Sequence, residues 1–422
     1  MVAPAIPPEP MGQADYAVDD AVPSSVVWAA SRAEVAEALR AASAARSAVI
    51  PWGSGSQMTL GAPPSRYTTA LDVSGLNRVL DHDADHLTVT VEAGARLSDV
   101  QEALQAERQF VPLDPPYPSG TLGGLVATDT DGPWRLGFGG LRDLVLAARL
   151  TLADGEEMLV GGESGAQDGA LLSLAVGSLG ALGVITEVTL RTCPLPAASR
   201  TLSVFTYPEP GAAVRLANRM LDVRPQPTAL DIFSSAEGAY ILLARLEGEG
   251  RGVEAQARAI ETLCRTEYMR RIQIADAKDT REVWEAANVG GSYWDGPRLS
   301  YPVIVRLRVP RVAVAPMLLA AKDILRQHNL PRLVSMQAGA GVARIHLGDL
   351  RGQSDVAAVV AASLALRAAA ERLGGYLVVE QAPRRVKEGV SVWGATPLLA
   401  AVARAKARLD PRNVLNPGRF LA

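Results

Sequence analysis

Two spacings of apolar residues divide the chain. In "SRAEVAEALRAASAA" (31–45) they recur every three or four positions, and Ser31 stands three residues before Glu34; this predicts a helix closed at its start by a reciprocal cap. The apolar run "SAVIPWG" follows as a short strand, so the pattern opens on a helix, a strand and a knot of small residues at Gly53. "YTTALDVSGLNRVLDHDADHLTVTVEAGARLSDVQEALQAE" reads as strand, turn, strand, then a helix starting near Leu97 and Ser98; "LTVTVEAG" alternates as a half-buried strand does. "DLVLAARLTLADGEEMLVG" predicts a hairpin turning at Asp154–Gly155. "LLSLAVGSLGALGVITEVTLRTCPLP" predicts a helical half running into a strand closed by prolines.

Between these elements lies "FVPLDPPYPSGTLGGLVATDTDGPW" (110–134), rich in Gly, Pro, Thr and Asp. A long irregular segment between core elements is usually functional. After Pro196 the texture changes. Strand-like runs ("LSVFTYP", "GAYILLARLEG", "YPVIVRLRVP", "VARIHLG", "GYLVVEQA") alternate with alanine-rich helices, which predicts a second, α+β domain on a mostly antiparallel sheet. Within it two stretches look alike, each a strand, a helix and a strand. "DVAAVVAASLALRAAAERLGG" (355–375), interrupted by Arg367, Glu371 and Arg372, reads as an amphipathic helix with a glycine stop.

Composition narrows the function classes. The chain has 422 residues, 48% of them hydrophobic, and a formal net charge of −3. That predicts a soluble globular protein of two or three domains and argues against an electrostatic nucleic-acid binder. No apolar run reaches the ~18 residues of a membrane span. "MVAPAIPPEPMGQADY" has neither the basic start nor the apolar centre of a signal peptide, and residues 1–24 read as a flexible leader. Cys193 and Cys264 have no metal-ligand or disulfide spacing. His82 and His86 have the spacing of a helical metal pair but sit in "DHDADHLTVTVEAG", where a solvated acidic turn is the expected reading.

"VIPWGSGSQMTLGAPPS" (49–65) poses the chemical question. Gly53 and Gly55 fit a dinucleotide-binding G-x-G-x-x-G, but the third place is Met58, and Pro63 and Pro64 leave little room for the helix that motif needs. No lysine follows the glycines, so a P-loop is excluded as well. Two readings remain for the loop alone. It is an ordinary turn, or a nest of backbone N–H groups that wraps an anion.

Taken in order, the "PWGSGS" loop, the "LDPP" and "TLGGLVATDTDG" stretch, "GSLGALGVITEVTL" and the ending "DPRNVLNPGRF" resemble the flavoprotein family of vanillyl-alcohol oxidase and p-cresol methylhydroxylase. The likeness is strongest over 1–196 and 400–422. It implies an α+β fold: a two-lobed PCMH-type FAD-binding domain (25–196), an α+β cap domain built on a mostly antiparallel sheet (197–400), and a tail (401–422) returning to the FAD domain. It implies FAD laid between the lobes. Pro51, Trp52, Gly53, Ser54, Gly55, Ser56 and Gln57 would cradle the pyrophosphate; Pro115, Thr121, Gly123, Gly124, Thr128 and Gly132 would follow it towards the flavin; Gly180, Gly183, Val184 and Ile185 would lie near the adenine or ribose. With no histidine in the first loop, binding is expected to be non-covalent.

The sequence departs from this family where substrate chemistry would be. "SGAQDGA" (164–170) lacks the Lys, Asn and Tyr of a "KNVAGYD"-like stretch. "MQAGAGVARIH" places Gln337 where catalytic relatives carry a histidine and Ala340 where they carry an acid; "VWEAANV" keeps Trp284 but has Ala287 in place of an arginine. Oxidising a 2-hydroxy acid needs a base for the hydroxyl proton and a cation for the carboxylate. Arg306, Arg308 and Arg344 are candidates for the cation, Arg306 and Arg344 foremost, against the alternative that they are surface charges; the catalytic residue is unassigned. Two functions follow. One is the FAD-binding subunit of a glycolate oxidase-like 2-hydroxyacid dehydrogenase complex acting on glycolate or D-lactate. The other is a non-catalytic partner of a homologous catalytic flavin subunit. The chain lacks the cysteines of an iron–sulfur cluster, so electrons must leave through another subunit or a diffusible acceptor; the resemblance implies an iron–sulfur subunit as partner. The expected location is the cytoplasm, with contact to the inner face of the membrane only through partners.

Overall fold

A computed structural model describes residues 12–117, 119–162, 166–206, 209–234, 239–266, 271–275, 283–284, 287, 303–330, 333–348, 350, 353–394 and 397–420. The first eleven residues, part of "SGAQDGA", and "VWEAANV" apart from Val283, Trp284 and Ala287 lie outside the described residues. Four sheets organise the described residues. The first is three parallel strands in the order β1 (Ser25–Trp28), β3 (Thr69–Asp72), β2 (Val49–Trp52). The helix Arg32–Ala45 links β1 to β2; Glu34 N–H donates to Ser31 Oγ at 3.3 Å as expected, but the Glu34 carboxylate accepts from Ala30 N–H at 2.7 Å, one residue before the cap, and not from Ser31. Its partner lobe is a five-stranded antiparallel sheet in the order β4 (Val79–Asp83), β5 (Thr88–Glu92), β9 (Val184–Arg191), β7 (Val145–Thr151), β8 (Glu157–Gly161). Short strands β6 (Gln109–Phe110) and β10 (Cys193–Pro194) pair beside it.

The remaining sheet has eight strands: β11 (Ala198–Thr206), β12 (Ala229–Ser234), β13 (Tyr240–Gly248), β14 (Arg271–Ala275), β15 (Ile304–Arg308), β16 (Leu333–Gln337), β17 (Val342–His346) and β18 (Tyr376–Gln381). Its order, β14-β11-β13-β12-β16-β17-β15-β18, reads as two βαββαβ units back to back, joined by the antiparallel β12·β16 pair. The two similar stretches in the sequence are these units. Alternation gives the sheet two unlike faces. Leu230, Ile232, Leu242, Ala244, Val305, Leu307, Met336, Ile345 and Val379 belong to one large core with the helices. The opposite face carries Asp231, Arg245, Arg306, Gln337, Arg344 and Glu380, and it meets the segment 114–138 of the first domain.

Several sequence expectations change here. The leader is not loose from residue 12 onward: Gln13–Tyr16 forms a 3-10 turn, and the buried Tyr16 hydroxyl donates to Asp72 at 2.6 Å. β1 precedes the helix that seemed to open the chain. The acidic turn at His82 is partly strand: His82 sits on β4 with Nε2 3.1 Å from Gln109 Oε1, and His86 pairs with Asp83. The strand-like runs read from the sequence do not include β12, β14 and β16; polar Asp231 interrupts the apolar run of β12. The returning tail begins earlier than residue 401, with the helix Pro397–Leu409, which packs on Ala166–Ala175. No described helix is long and apolar enough to cross a membrane.

Candidate flavin site and cap chamber

β2 ends at Trp52, and the chain then turns through Gly53–Met58 along an open cleft. Two glycines are required there. A Cβ on Gly53 would lie 2.2 Å from Thr121 Oγ1, and Gly55 has φ +73° with its Cβ position 2.9 Å from the Trp52 ring. Among the described residues, no acceptor receives the backbone N–H groups of Gly53, Ser54, Gly55, Ser56 or Gln57. Their carbonyl side is anchored instead: Arg419 Nη2 donates to Met58 O at 2.8 Å and also to Leu60 O. Arg419 is 3% exposed, and its Nε and Nη1 are buried without a partner. Burial lowers its pKa to about 10, so it stays charged at neutral pH. Unpaired N–H groups, close-approach glycines and a buried cation fit an anionic diphosphate.

Of the residues expected at FAD, Pro51, Gly53, Ser54, Gly55, Ser56, Gln57, Thr121, Gly124 and Thr128 line this cleft together. Met58, Ala127, Leu179, Asn416 and Arg419 line it unforeseen. Trp52 lies beneath the loop, its Nε1 donating to Tyr67 at 2.8 Å. Gly123 allows close packing on Ala93, which a Cβ would approach to 2.6 Å. Gly180 borders the cleft through Leu179 and Asn416, whereas Gly183, Val184 and Ile185 pack in or against the five-stranded sheet. Pro115 is buried, and Gly132 lies against Asp114, both outside the cleft lining. Among the described residues the lining contains no His, Cys or Tyr.

Segment 114–138 connects the cleft to the polar face of the cap sheet. Thr130 Oγ1 donates to Gln57 Oε1 at 2.8 Å, and Arg306 Nη1 donates to Asp129 O at 3.2 Å. Glu380, 3% exposed, accepts from Tyr117 Oη at 2.9 Å and from Arg344 Nε at 3.1 Å, with Arg306 Nε 3.6 Å away. Burial pushes the Glu380 carboxyl up, but Arg344, Arg306 and the tyrosine hydroxyl outweigh it and leave it below its ordinary value. Arg306 and Arg344 are therefore brought together and are not surface charges: their side chains are 20% and 11% exposed. Arg344 uses only Nε; neither Nη makes a hydrogen bond with a described residue.

Nearby, Arg245 pairs with Asp114 at 3.3 Å and lies over the rings of Trp134 and Trp284 at 4.8 and 4.7 Å. Trp284 Nε1 donates to Thr201 Oγ1 at 3.0 Å, and Ala287 is buried with it against the cap. Asp231 stands directly across from Gln337 in the β12·β16 pair. Asp231 Oδ1 and Gln337 Oε1 are both buried without a partner. Burial raises the Asp231 pKa to about 8, helped by Asp114 and opposed by Arg344 and Arg245. Burial likewise raises Asp114 to about 7, while it lowers His346 to about 4.

Known proteins with the same pattern decide the family. Residues 23–161 match the FAD binding domain, and residues 211–420 match the C-terminal domain of FAD linked oxidases. The chain belongs to the FAD-linked oxidase family of the PCMH type. This flavoprotein is an FAD-dependent oxidoreductase by that membership. It is 27% identical to the glycolate oxidase subunit GlcD of Bacillus subtilis, over 95% of this chain and 89% of that one. It is 25% identical to a D-lactate dehydrogenase of Archaeoglobus fulgidus over 94% and 91% of the two chains. A shorter match, 36% identity over 36% of this chain and 43% of the other, is to the glycolate oxidase subunit GlcE of Escherichia coli. An alkyldihydroxyacetonephosphate synthase structure shares the fold, with TM-score 0.69, 15% identity, and coverage of 93% of this chain and 75% of that one.

Sequence reasoning missed Arg419, Tyr117, Glu380 and Asp231 in the flavoprotein. A signal existed for Asp231: a lone acid in the apolar run "ALDIFS". Arg419 sat in the noted "NPGRF" ending, but nothing local shows that its side chain turns inward under a loop some 360 residues earlier.

Proposed function

We propose that the flavoprotein is the FAD-binding subunit of a glycolate oxidase-like 2-hydroxyacid dehydrogenase, converting glycolate or D-lactate to the 2-oxo acid. The carrying observation is the pair Arg306 and Arg344, half-buried on the polar cap face, with neither Nη of Arg344 bonded to a described residue. A guanidinium held at Nε by a carboxylate presents its end as a preoriented fork for a substrate carboxylate. The full-length matches to GlcD and to a D-lactate dehydrogenase support this substrate class. Bound FAD, held non-covalently in this proposal, supplies the oxidant. Asp231, across from Gln337 on the same sheet face as Arg344, is an acid that could take a hydroxyl proton once ionised. A homologous flavin subunit, with an iron–sulfur subunit, would carry electrons onward; the GlcE match supports a multi-subunit setting.

The second reading, a non-catalytic partner of a catalytic homologue, is favoured by Gln337, Ala340 and Ala287, which are neutral where relatives place working groups. Dye reduction by the purified chain over a panel of 2-hydroxy acids separates the two. A lost charged hydrogen bond costs about 1.5–3 kcal/mol, so Arg344→Met should lower kcat/KM by about 10- to 150-fold. Turnover indifferent to Arg344→Met would remove the carboxylate role. Bound flavin that no 2-hydroxy acid reduces would favour the partner reading.

A further inference from the structure

We propose that Arg419 is the counter-cation of the diphosphate in the cleft, delivered by the C-terminal tail, so that cofactor binding and tail docking stabilise each other. This rests on the flavin reading of the cleft and adds a ligand group outside the glycine loop.

The guanidinium is held from below. Nη2 donates to the carbonyls of Met58 and Leu60, while Nε and Nη1 have no partner among the described residues, are buried, and belong to a residue that lines the cleft. Its backbone cannot easily swing away. Ala62 N–H and Trp393 Nε1 both donate to Arg419 O at 2.9 Å, and Ser65 N–H donates to Pro417 O at 2.9 Å. Gly418, at φ +83°, lies so close to Ser65 that a Cβ would approach its N to 2.7 Å.

Charge makes the case stronger. The acid that acts on Arg419 is Asp19, but Asp19 already accepts from Lys387 Nζ at 2.8 Å. Two buried cations thus share one carboxylate, with Tyr67 the other titrating neighbour. A buried charge without full compensation is costly, and it persists where a ligand supplies the missing partner. The ligand must be anionic, must present several acceptors to free N–H groups of both the Gly53–Gln57 backbone and a guanidinium, and must fit an open cleft. A nucleoside diphosphate meets all three conditions. Linkage then requires reciprocity: whatever tail docking adds to diphosphate affinity, the diphosphate adds to tail docking.

Flavin-stripped protein would be titrated calorimetrically with FAD, ADP and adenosine, using wild type, Arg419→Met and Arg419→Lys. Losing charge-assisted bonds should weaken ADP and FAD by at least about tenfold in Arg419→Met, while adenosine, which lacks phosphate, changes by less than about twofold. Arg419→Lys, which keeps the charge and guards against loss of folding, should fall between. In wild type, ADP but not adenosine should slow carboxypeptidase removal of the tail. Equal weakening of ADP and adenosine would show a merely structural arginine, and unchanged ADP affinity or no tail protection would also overturn the proposal. If wild type takes up FAD normally and Arg419 proves irrelevant, only this inference falls. If wild type takes up neither FAD nor ADP, the flavin reading of the cleft falls with it.

Discussion

Replacing Asp231 by Asn tests the cap chamber most directly. The carboxyl is 4% exposed, its Oδ1 has no partner, and its pKa is raised to about 8 by burial, with Asp114 adding to the shift. A raised carboxyl pKa means that between about pH 4 and pH 8 the folded state holds a proton the unfolded state has released. Stability contributed at this site is therefore full in acid and falls as pH rises through that window. At pH 7 about three pH units separate the medium from the unfolded pKa; at about 1.4 kcal/mol per unit, the ceiling of the penalty is about 4 kcal/mol. Asn removes the titration but keeps a buried amide, whose own unmet hydrogen bond returns about 1–3 kcal/mol. The expected net gain is about 1–3 kcal/mol at pH 7–8 and none, or a small loss, at pH 4–5. Urea unfolding followed by tryptophan fluorescence at pH 5 and pH 8 measures it. A difference between wild type and variant that does not change with pH would refute the reasoning. The same substitution should abolish any turnover that uses Asp231 as proton acceptor, whose wild-type rate should climb between pH 7 and pH 9.

Gly53→Val should reduce FAD affinity by more than tenfold, because its Cβ position is 2.2 Å from Thr121 Oγ1; full flavin occupancy measured by absorbance would contradict the cleft assignment. Acid precipitation should release all the flavin into the supernatant, since the described residues of the cleft lining include no His, Cys or Tyr; flavin retained on the polypeptide would disprove non-covalent binding. Deleting the last twenty or so residues removes the buried Lys406–Asp410 pair, 2.7 Å apart, whose Nζ also donates to Leu415 O and Ala181 O. Soluble yield and melting temperature should both fall, and an unchanged melting curve would show the tail to be dispensable.

Local patterns were enough for local structure. Ser31 and Glu34 set the first helix, Asp154–Gly155 set the β7–β8 hairpin, and the alternation of "LTVTVEAG" set β5, because each depends on neighbours within a few residues. The glycine loop was legible for the same reason: its course depends on the absence of side chains at Gly53 and Gly55. Two similar strand–helix–strand stretches were visible, but their fusion into one eight-stranded sheet was not. That joint is Asp231 opposite Gln337, a pairing of segments about a hundred residues apart that no period encodes. Charge behaved likewise. Arg306, Arg344, Glu380 and Arg419 are the residue types found on any solvated surface, and only packing removed their water and turned them towards a cleft or one another. The chain by itself determined where backbone is left bare of side chains. The tertiary structure decided which charges were buried beside it, because desolvation is a property of everything that surrounds a group and not of its neighbours in sequence.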